Sequence, residues 1–482
     1  MAAGWDHVEE ARARLADERG TIFQEAPLSV ALCYPSPYAV AMSSLGFQTI
    51  YREICRHPGA VAERAFLPDD PARWPRGTPL FTYESLRPVS EHRVVAFSIA
   101  YELEITGLFE VLSLSGLPVL ASERSPHHPL VVAGGPLTFS NPRTLEPFVD
   151  VVLMGEGEET IHALIERVAA ADSKEAALDA LCGLSGIHVT GRGLDWPAVA
   201  KAPDDRLPAH SQIVTPNTEL RSMFLVEAER GCSRVCHYCV MRRTTNGGMR
   251  PVPVERVLEK IPPEAERVGL VGAAVTDHPQ IEELLRRVVD SGRAIGISSL
   301  RACRISQPIA DLLARGGYRT LTIAADGSSQ RLRDSVQRNT SEEHLLRAAR
   351  HAREAGLTRV KLYEMIGLPG ESEADIDELG RLTTELSKVL PLSLGIAPFV
   401  AKRNTPLDGA PFEAMPVLEA RLKRLRRAVK GRVDIRSTST RWALVEYKLA
   451  QGGSEAGLAA LDAWKDGGDF AAWKRAFESR GI

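Results

Sequence analysis

The chain has 482 residues, 44% of them hydrophobic, which is enough for several domains with buried cores. A net charge of −3 excludes a globally basic protein of the kind that binds nucleic acid or anionic membranes through bulk charge. No apolar run approaches the roughly 18 residues of a membrane span, and residues 1–20 hold no apolar signal region, so a soluble, cytoplasmic protein with no membrane partner is expected.

Residues 1–27 read as an N-terminal amphipathic helix with an entry segment. Four short apolar runs follow, at 28–33, 93–100, 130–133 and 149–154, each fit for a buried parallel strand. Helical patterns separate them, so residues 28–190 are expected to form a Rossmann-like, doubly wound α/β domain. Ligands of such sheets bind beyond the carboxyl ends of the strands. Those ends carry Tyr34, Ser98, Gly134, Gly135, Gly155 and Glu156. Residues 191–221 hold Pro197, Pro203, Pro208 and Pro216 and read as a linker.

A second βα series starts at 222, with strands expected at 223–228, 267–272, 294–299, 320–324, 359–366 and 392–400. Six βα units make a partial (β/α)6 barrel over 222–412, and 413–482 reads as a helical C-terminal region. Within it, 420–432 is a basic amphipathic helix whose plain reading is a solvated face with Leu422 and Leu425 packed inward. RNA contact is the competing reading, and nucleic acid is not an expected partner.

The seven cysteines are Cys33, Cys55, Cys182, Cys232, Cys236, Cys239 and Cys303. An odd number at irregular spacing argues against a disulfide framework and suits a reducing compartment. Cys232, Cys236 and Cys239 form a C-x3-C-x2-C array at the end of the first barrel strand, where βα barrels carry their chemistry. Thiolates bind iron and zinc. A structural zinc site wants four ligands; no fourth cysteine is near, so zinc would need His237. Three thiolates on a four-iron cluster instead leave one iron open.

This array, with the aromatic Tyr238 before its last cysteine, resembles the radical S-adenosylmethionine (SAM) signature. The resemblance implies a 4Fe-4S cluster on Cys232, Cys236 and Cys239, with SAM on the open iron. An electron from a donor such as a flavodoxin or ferredoxin would then break a carbon–sulfur bond of SAM. Gly272-Ala273-Ala274 stands where the family has a Gly-Gly-Glu element; the glutamate is missing, so only a backbone role for Gly272 and Ala273 carries over. Ser298 and Arg301 end the third strand and Asp326 and Ser329 the fourth, as candidate SAM contacts. Ile366 and Leu368 match the adenine side of the fifth. Alternation sends either Tyr363 or Glu364 into the barrel. Cys303 reads as a small buried hydrophobe, and no catalytic residue is assigned.

The N-terminal domain resembles the cobalamin-binding domains of class B radical SAM methyltransferases, on its Ser98-Ile99-Ala100 and Gly134-Gly135 elements. Leu45-Gly46-Phe47-Gln48 and 63–68 (ERAFLP) match a subgroup of that superfamily. The family's D-x-H-x-x-G motif is absent; the loop reads Tyr34-Pro35-Ser36-Pro37-Tyr38. The resemblance implies cobalamin contacts at Tyr34, Ser98, Gly134, Gly135, Gly155 and Glu156, and a cobalamin-dependent methyltransferase with an unknown substrate. Two alternatives stand beside it. One is a radical SAM enzyme without cobalamin, such as an RNA methylthiotransferase with a second cluster on Cys33, Cys55 and Cys182. The other is a non-enzymatic binding module.

Overall fold

The computed structural model describes residues 2–243 and 248–482. Met1 of the N-terminal helix therefore lies outside the described residues. The chain divides into two compact units, Met1–Met223 with Gly452–Ile482, and Phe224–Gln451. No helix among the described residues is long and apolar enough to cross a membrane.

The first unit is built on a six-stranded sheet: β1 (Leu28–Tyr34), β2 (Ala60–Phe66), β3 (Val94–Ser98), β4 (Leu130–Gly134), β5 (Val151–Leu153) and β6 (Ile187–Val189). Their order is β2-β1-β3-β4-β5-β6, parallel except for β6. The four expected strands are present. They are largely apolar because parallel strands are covered on both faces. Two further strands were not expected. Every residue of β2 is buried, although its sequence, AVAERAF, holds two charges. Arg64 is satisfied by Glu18 at 2.8 Å and Glu84 at 2.6 Å, and Glu63 accepts the Thr82 hydroxyl at 2.6 Å.

Residues 191–221 are not a free connector. Ala200 pairs with Gly155, Val214 pairs with Arg19, and Gln48 Oε1 accepts the Gln212 and Ile213 amides at 2.9 Å. Nor do 413–482 form one helical tail. The helices Ser454–Lys465 and Phe470–Ser479 belong to the first unit. There, Trp464 donates to Glu110 at 3.0 Å, and a Cβ on Gly457 would lie 2.0 Å from the Thr144 carbonyl oxygen.

The second unit carries β7 (Phe224–Glu227), an antiparallel ribbon of β8 (Glu229–Gly231) and β9 (Met249–Pro251), then β10 (Arg267–Val271), β11 (Ala294–Ile297), β12 (Thr320–Ala324), β13 (Arg359–Ile366), β14 (Leu392–Pro398) and β15 (Asp434–Ser437). The six expected barrel strands are all there. They form two parallel sheets, β11-β10-β7 and β12-β13-β14-β15. Along the edge of β11 where the first sheet ends, the Ile297 amide donates to Tyr318 Oη at 2.5 Å and the Ile295 amide to the Gly316 carbonyl at 3.0 Å. β15 extends the second sheet from inside the region expected to be helical. Helices Ile281–Asp290, Glu342–Glu354 and Glu373–Val389 cover the outer faces with apolar residues.

Candidate functional site

The cysteine loop is fastened at several points. Gly231, at φ 86°, ends the β8–β9 ribbon in a left-handed turn that favours glycine. The Cys232 amide donates to Gly248 at 3.1 Å, the Cys239 amide to Cys236 at 3.2 Å, and the His237 amide to Val336 at 3.0 Å. Cys236 is buried, while Cys232 and Cys239 are partly exposed. Burial pushes the Cys232 and Cys239 thiols up, and the neighbouring thiols push them further. Three thiols near enough to repel one another as anions make a site that wants cations. Among the described residues, no three His, Cys, Asp or Glu side chains are arranged for a single metal ion. An iron–sulfur cluster is a different demand, since each thiolate takes its own iron. The donor set fits such a cluster and leaves one iron without a cysteine.

Beside the loop stands a polar group centred on Asp326, which follows β12 at φ 55°. Tyr238 donates to its Oδ2 at 2.8 Å, and Arg338 Nε lies 3.0 Å from the same oxygen. Arg338 also donates to the Ala324 carbonyl at 3.1 Å. Burial works against the Arg338 charge, but Asp326, Tyr238 and Cys236 outweigh it and raise its pKa. The Tyr238 phenol is pushed up, first by burial and then by Asp326.

A second group also anchors the loop, through Arg234. Asp277 receives Arg234 at 2.9 Å, Arg304 at 3.0 Å and Arg301 at 3.4 Å. Burial opposes its charge, yet the three guanidiniums hold its carboxyl below the usual range. Gly272 is held by Ser298, which accepts its amide at 3.1 Å and donates to its carbonyl at 2.8 Å; Ser299 donates to the same carbonyl at 3.1 Å.

Of the SAM contacts expected from sequence, Tyr238 and Asp326 meet directly, as do Gly272 and Ser298. Arg301 is buried against Asp277. Ser329 caps the helix Gln330–Ser335 and donates to Asp375 at 2.5 Å, so its hydroxyl is committed inside the protein. Ile366 and Leu368 are buried, Leu368 in one apolar cluster with Phe399, against which Tyr238 and Met365 pack.

Tyr363 and Glu364 do take opposite faces of β13. Tyr363, Lys361 and Met365 share theirs with Thr322 and Ala324 of β12 and with Ser393, Gly395 and Ala397 of β14. Apart from the β13 side chains this floor is made of small residues. A Cβ on Gly395 would lie 2.9 Å from the Tyr363 ring, and Lys361 Nζ sits 4.7 Å from that ring's centre. Glu364 is buried on the far face, and burial, aided by Asp326, pushes its carboxyl up to about 8. Cys303 is partly exposed and close to Arg301, with Sγ–Nη2 at 3.8 Å. Sequence reasoning missed Arg338, Asp277 and Lys361, which stand in no recognisable motif.

In the first unit the strand ends divide. Ser98, Gly134 and Gly135 are partly exposed, and Tyr101 beside them is 48% exposed. Tyr34 instead turns inward against Phe47, with ring centres 5.4 Å apart. Its loop is packed over: a Cβ on Gly107 would lie 2.1 Å from the Pro35 carbonyl oxygen. Gly155 and Glu156 hold the chain itself, since Glu156 accepts the Ala202 amide at 2.8 Å and its own amide donates to Ala200 at 3.1 Å. The ends of β3 and β4 are thus partly open, whereas those of β1 and β5 are filled. Cys33, Cys55 and Cys182 donate to three different carbonyls, of Ala31, Ala62 and Leu178.

Family models match two stretches: residues 46–190 as the N-terminal region of radical SAM proteins, and 226–383 as the radical SAM superfamily. An uncharacterised protein of Methanocaldococcus jannaschii is 27% identical over 317 residues, 62% of this chain and 66% of that one. A 2-(S-pantetheinyl)-carbapenam-3-carboxylate methyltransferase of Streptantibioticus cattleyicolor is 30% identical over 203 residues, 38% of this chain and 28% of that one. Among solved structures, the cobalamin-dependent SAM radical enzyme OxsB matches with a TM-score of 0.54 at 14% identity, over 84% of this chain and 56% of OxsB. The chain thus spans less than two thirds of each of these relatives, and the likeness to OxsB is one of fold.

Proposed function

Because the chain belongs to the radical SAM superfamily, we propose that it is a cobalamin-dependent methyltransferase that carries a 4Fe-4S cluster and SAM. The observation that carries the reading is the set of three close thiols beside Tyr238, Asp326 and Arg338, at the carboxyl ends of parallel strands. When bound, the cluster supplies the electron that breaks a carbon–sulfur bond of SAM, and cobalamin supplies a methyl carrier.

The chain's own residues would do the following. Cys232, Cys236 and Cys239 hold the cluster. Arg338 presents a rigid guanidinium beside Cys236, which suits the carboxylate of SAM. Tyr238 and Asp326 keep that guanidinium in place. The floor of small residues around Tyr363 receives the substrate. Ser98, Gly134 and Gly135, with Tyr101, form the open part of a cobalamin face. No histidine stands in the β1 loop to ligate cobalt. Electrons come from an external carrier of the flavodoxin or ferredoxin class.

Support for methyl transfer comes from the similarity to the carbapenam methyltransferase, and the fold is like that of a cobalamin-dependent SAM radical enzyme. The test is the visible spectrum of anaerobically reconstituted protein after cobalamin is offered and the excess removed. Corrin bands at one equivalent per chain are expected. Their absence, with the cluster loaded, would leave a radical SAM enzyme that does not use cobalamin.

A further inference from the structure

Glu229 is a carboxylate that the reading so far does not use. It lies on β8, three residues before the first cysteine of the array, and is fully buried. Its Oε1 accepts the Ala274 amide at 2.6 Å, and the Ala273 amide is turned toward it as well. Two successive amides facing one carboxyl group form a small anion-binding nest, which the chain fills with its own side chain. The fit is close enough to dictate the neighbouring residue. A Cβ on Gly272 would lie 2.2 Å from Glu229 Oε1. Glu229 Oε2 has no hydrogen-bond partner.

The carbonyls of this loop tell the other half. Gly272 spends its carbonyl on Ser298 and Ser299, and Ala274 spends its own on the Asp277 amide at 2.7 Å. Ala273 is partly exposed, and its carbonyl has no partner among the described residues. With its amides drawn to a carboxylate, the loop can offer an approaching ligand only an acceptor. It is thus set to take a cationic, hydrogen-donating group rather than an anion.

We propose that Glu229 is the positioning residue for the amino group of SAM: by filling the nest of the Ala273 and Ala274 amides it aims the free Ala273 carbonyl at the ammonium. This rests on the reading of the cysteine loop as a SAM-binding cluster site. It gives the missing glutamate of the 272–274 element a physical replacement, a carboxylate brought in from β8. It also ties the ammonium site mechanically to the cluster loop, because Glu229 and Cys232 lie on one continuous segment.

The test is SAM affinity of the cluster-loaded full chain, by anaerobic equilibrium dialysis, with the change that SAM makes in the electron paramagnetic resonance of the reduced cluster. Glu229→Ala is expected to weaken SAM binding about tenfold or more while iron content and the SAM-free spectrum stay as in the wild type. Glu229→Gln keeps an oxygen for the amides and should stay within about threefold. Gly272→Ala leaves Glu229 in the chain but displaces its carboxylate; it should lose affinity as Glu229→Ala does, and add little to that variant. It also provides the test if Glu229→Ala does not fold. Wild-type affinity in Glu229→Ala, or in Gly272→Ala, overturns the proposal. So does an equal loss in Glu229→Gln and Glu229→Ala. A loaded wild-type chain that binds no SAM overturns the function reading itself.

Discussion

Asp326 is where the polar contacts of the site converge. Its carboxylate is shared by a phenol and a guanidinium, both largely out of water. Removing it strands a buried positive charge, which is worth more than the pair contributed. Asp326→Ala should therefore lower SAM affinity by about tenfold or more, measured by equilibrium dialysis, whereas Tyr238→Phe, which removes one hydrogen bond, should cost less than about tenfold. Cys236→Ala should lose most bound iron, measured by metal analysis, with the far-ultraviolet circular dichroism unchanged. Glu364 makes a pH prediction. Its carboxyl titrates near 8 in the folded chain, against an ordinary value of 4.5. Between those values the folded state holds a proton that the unfolded state has released, so this group's contribution falls as pH rises through that window. Melting temperature measured from pH 5 to 9 should fall less steeply in Glu364→Gln than in the wild type.

At the scale of elements, legibility followed side-chain chemistry. β1, β3 and β4 are largely apolar runs and β13 alternates buried with more exposed residues, and all four lie where the sequence put them. β2 was invisible because Glu63 and Arg64 break the apolar pattern, and only the fold reveals that Glu18, Glu84 and Thr82 satisfy them. β15 is a polar, mostly exposed edge strand, Asp434–Ser437, whose residues carry no strand signal of their own. The same logic covers the site. Cys232, Cys236 and Cys239 have a spacing that chemistry demands, whereas Arg338 acts through its neighbours and leaves no mark in the sequence. Arg64→Ala tests the β2 account: two buried carboxylates would lose their cation, and unfolding should be easier by about 3–5 kcal/mol, read from denaturant titration.

The whole molecule is divided less simply than its sequence suggests. The chain leaves the first unit at Met223 and returns to it at Gly452. A truncation after Gln451 should uncover Phe148, whose ring stands 4.6 Å from Phe109, and the Gly457 contact with Thr144. The first unit should then melt at least about 5 °C lower in calorimetry. The reading of function spans both units, but its foundation is the second. The measurement that tests it most directly is product analysis of SAM incubated with anaerobically reconstituted protein and a strong one-electron reductant. The account predicts that a chain holding about four irons turns SAM into 5′-deoxyadenosine or S-adenosylhomocysteine, and that Cys236→Ala does neither. Unaltered SAM in the presence of the loaded chain, or equal turnover by Cys236→Ala, would contradict it.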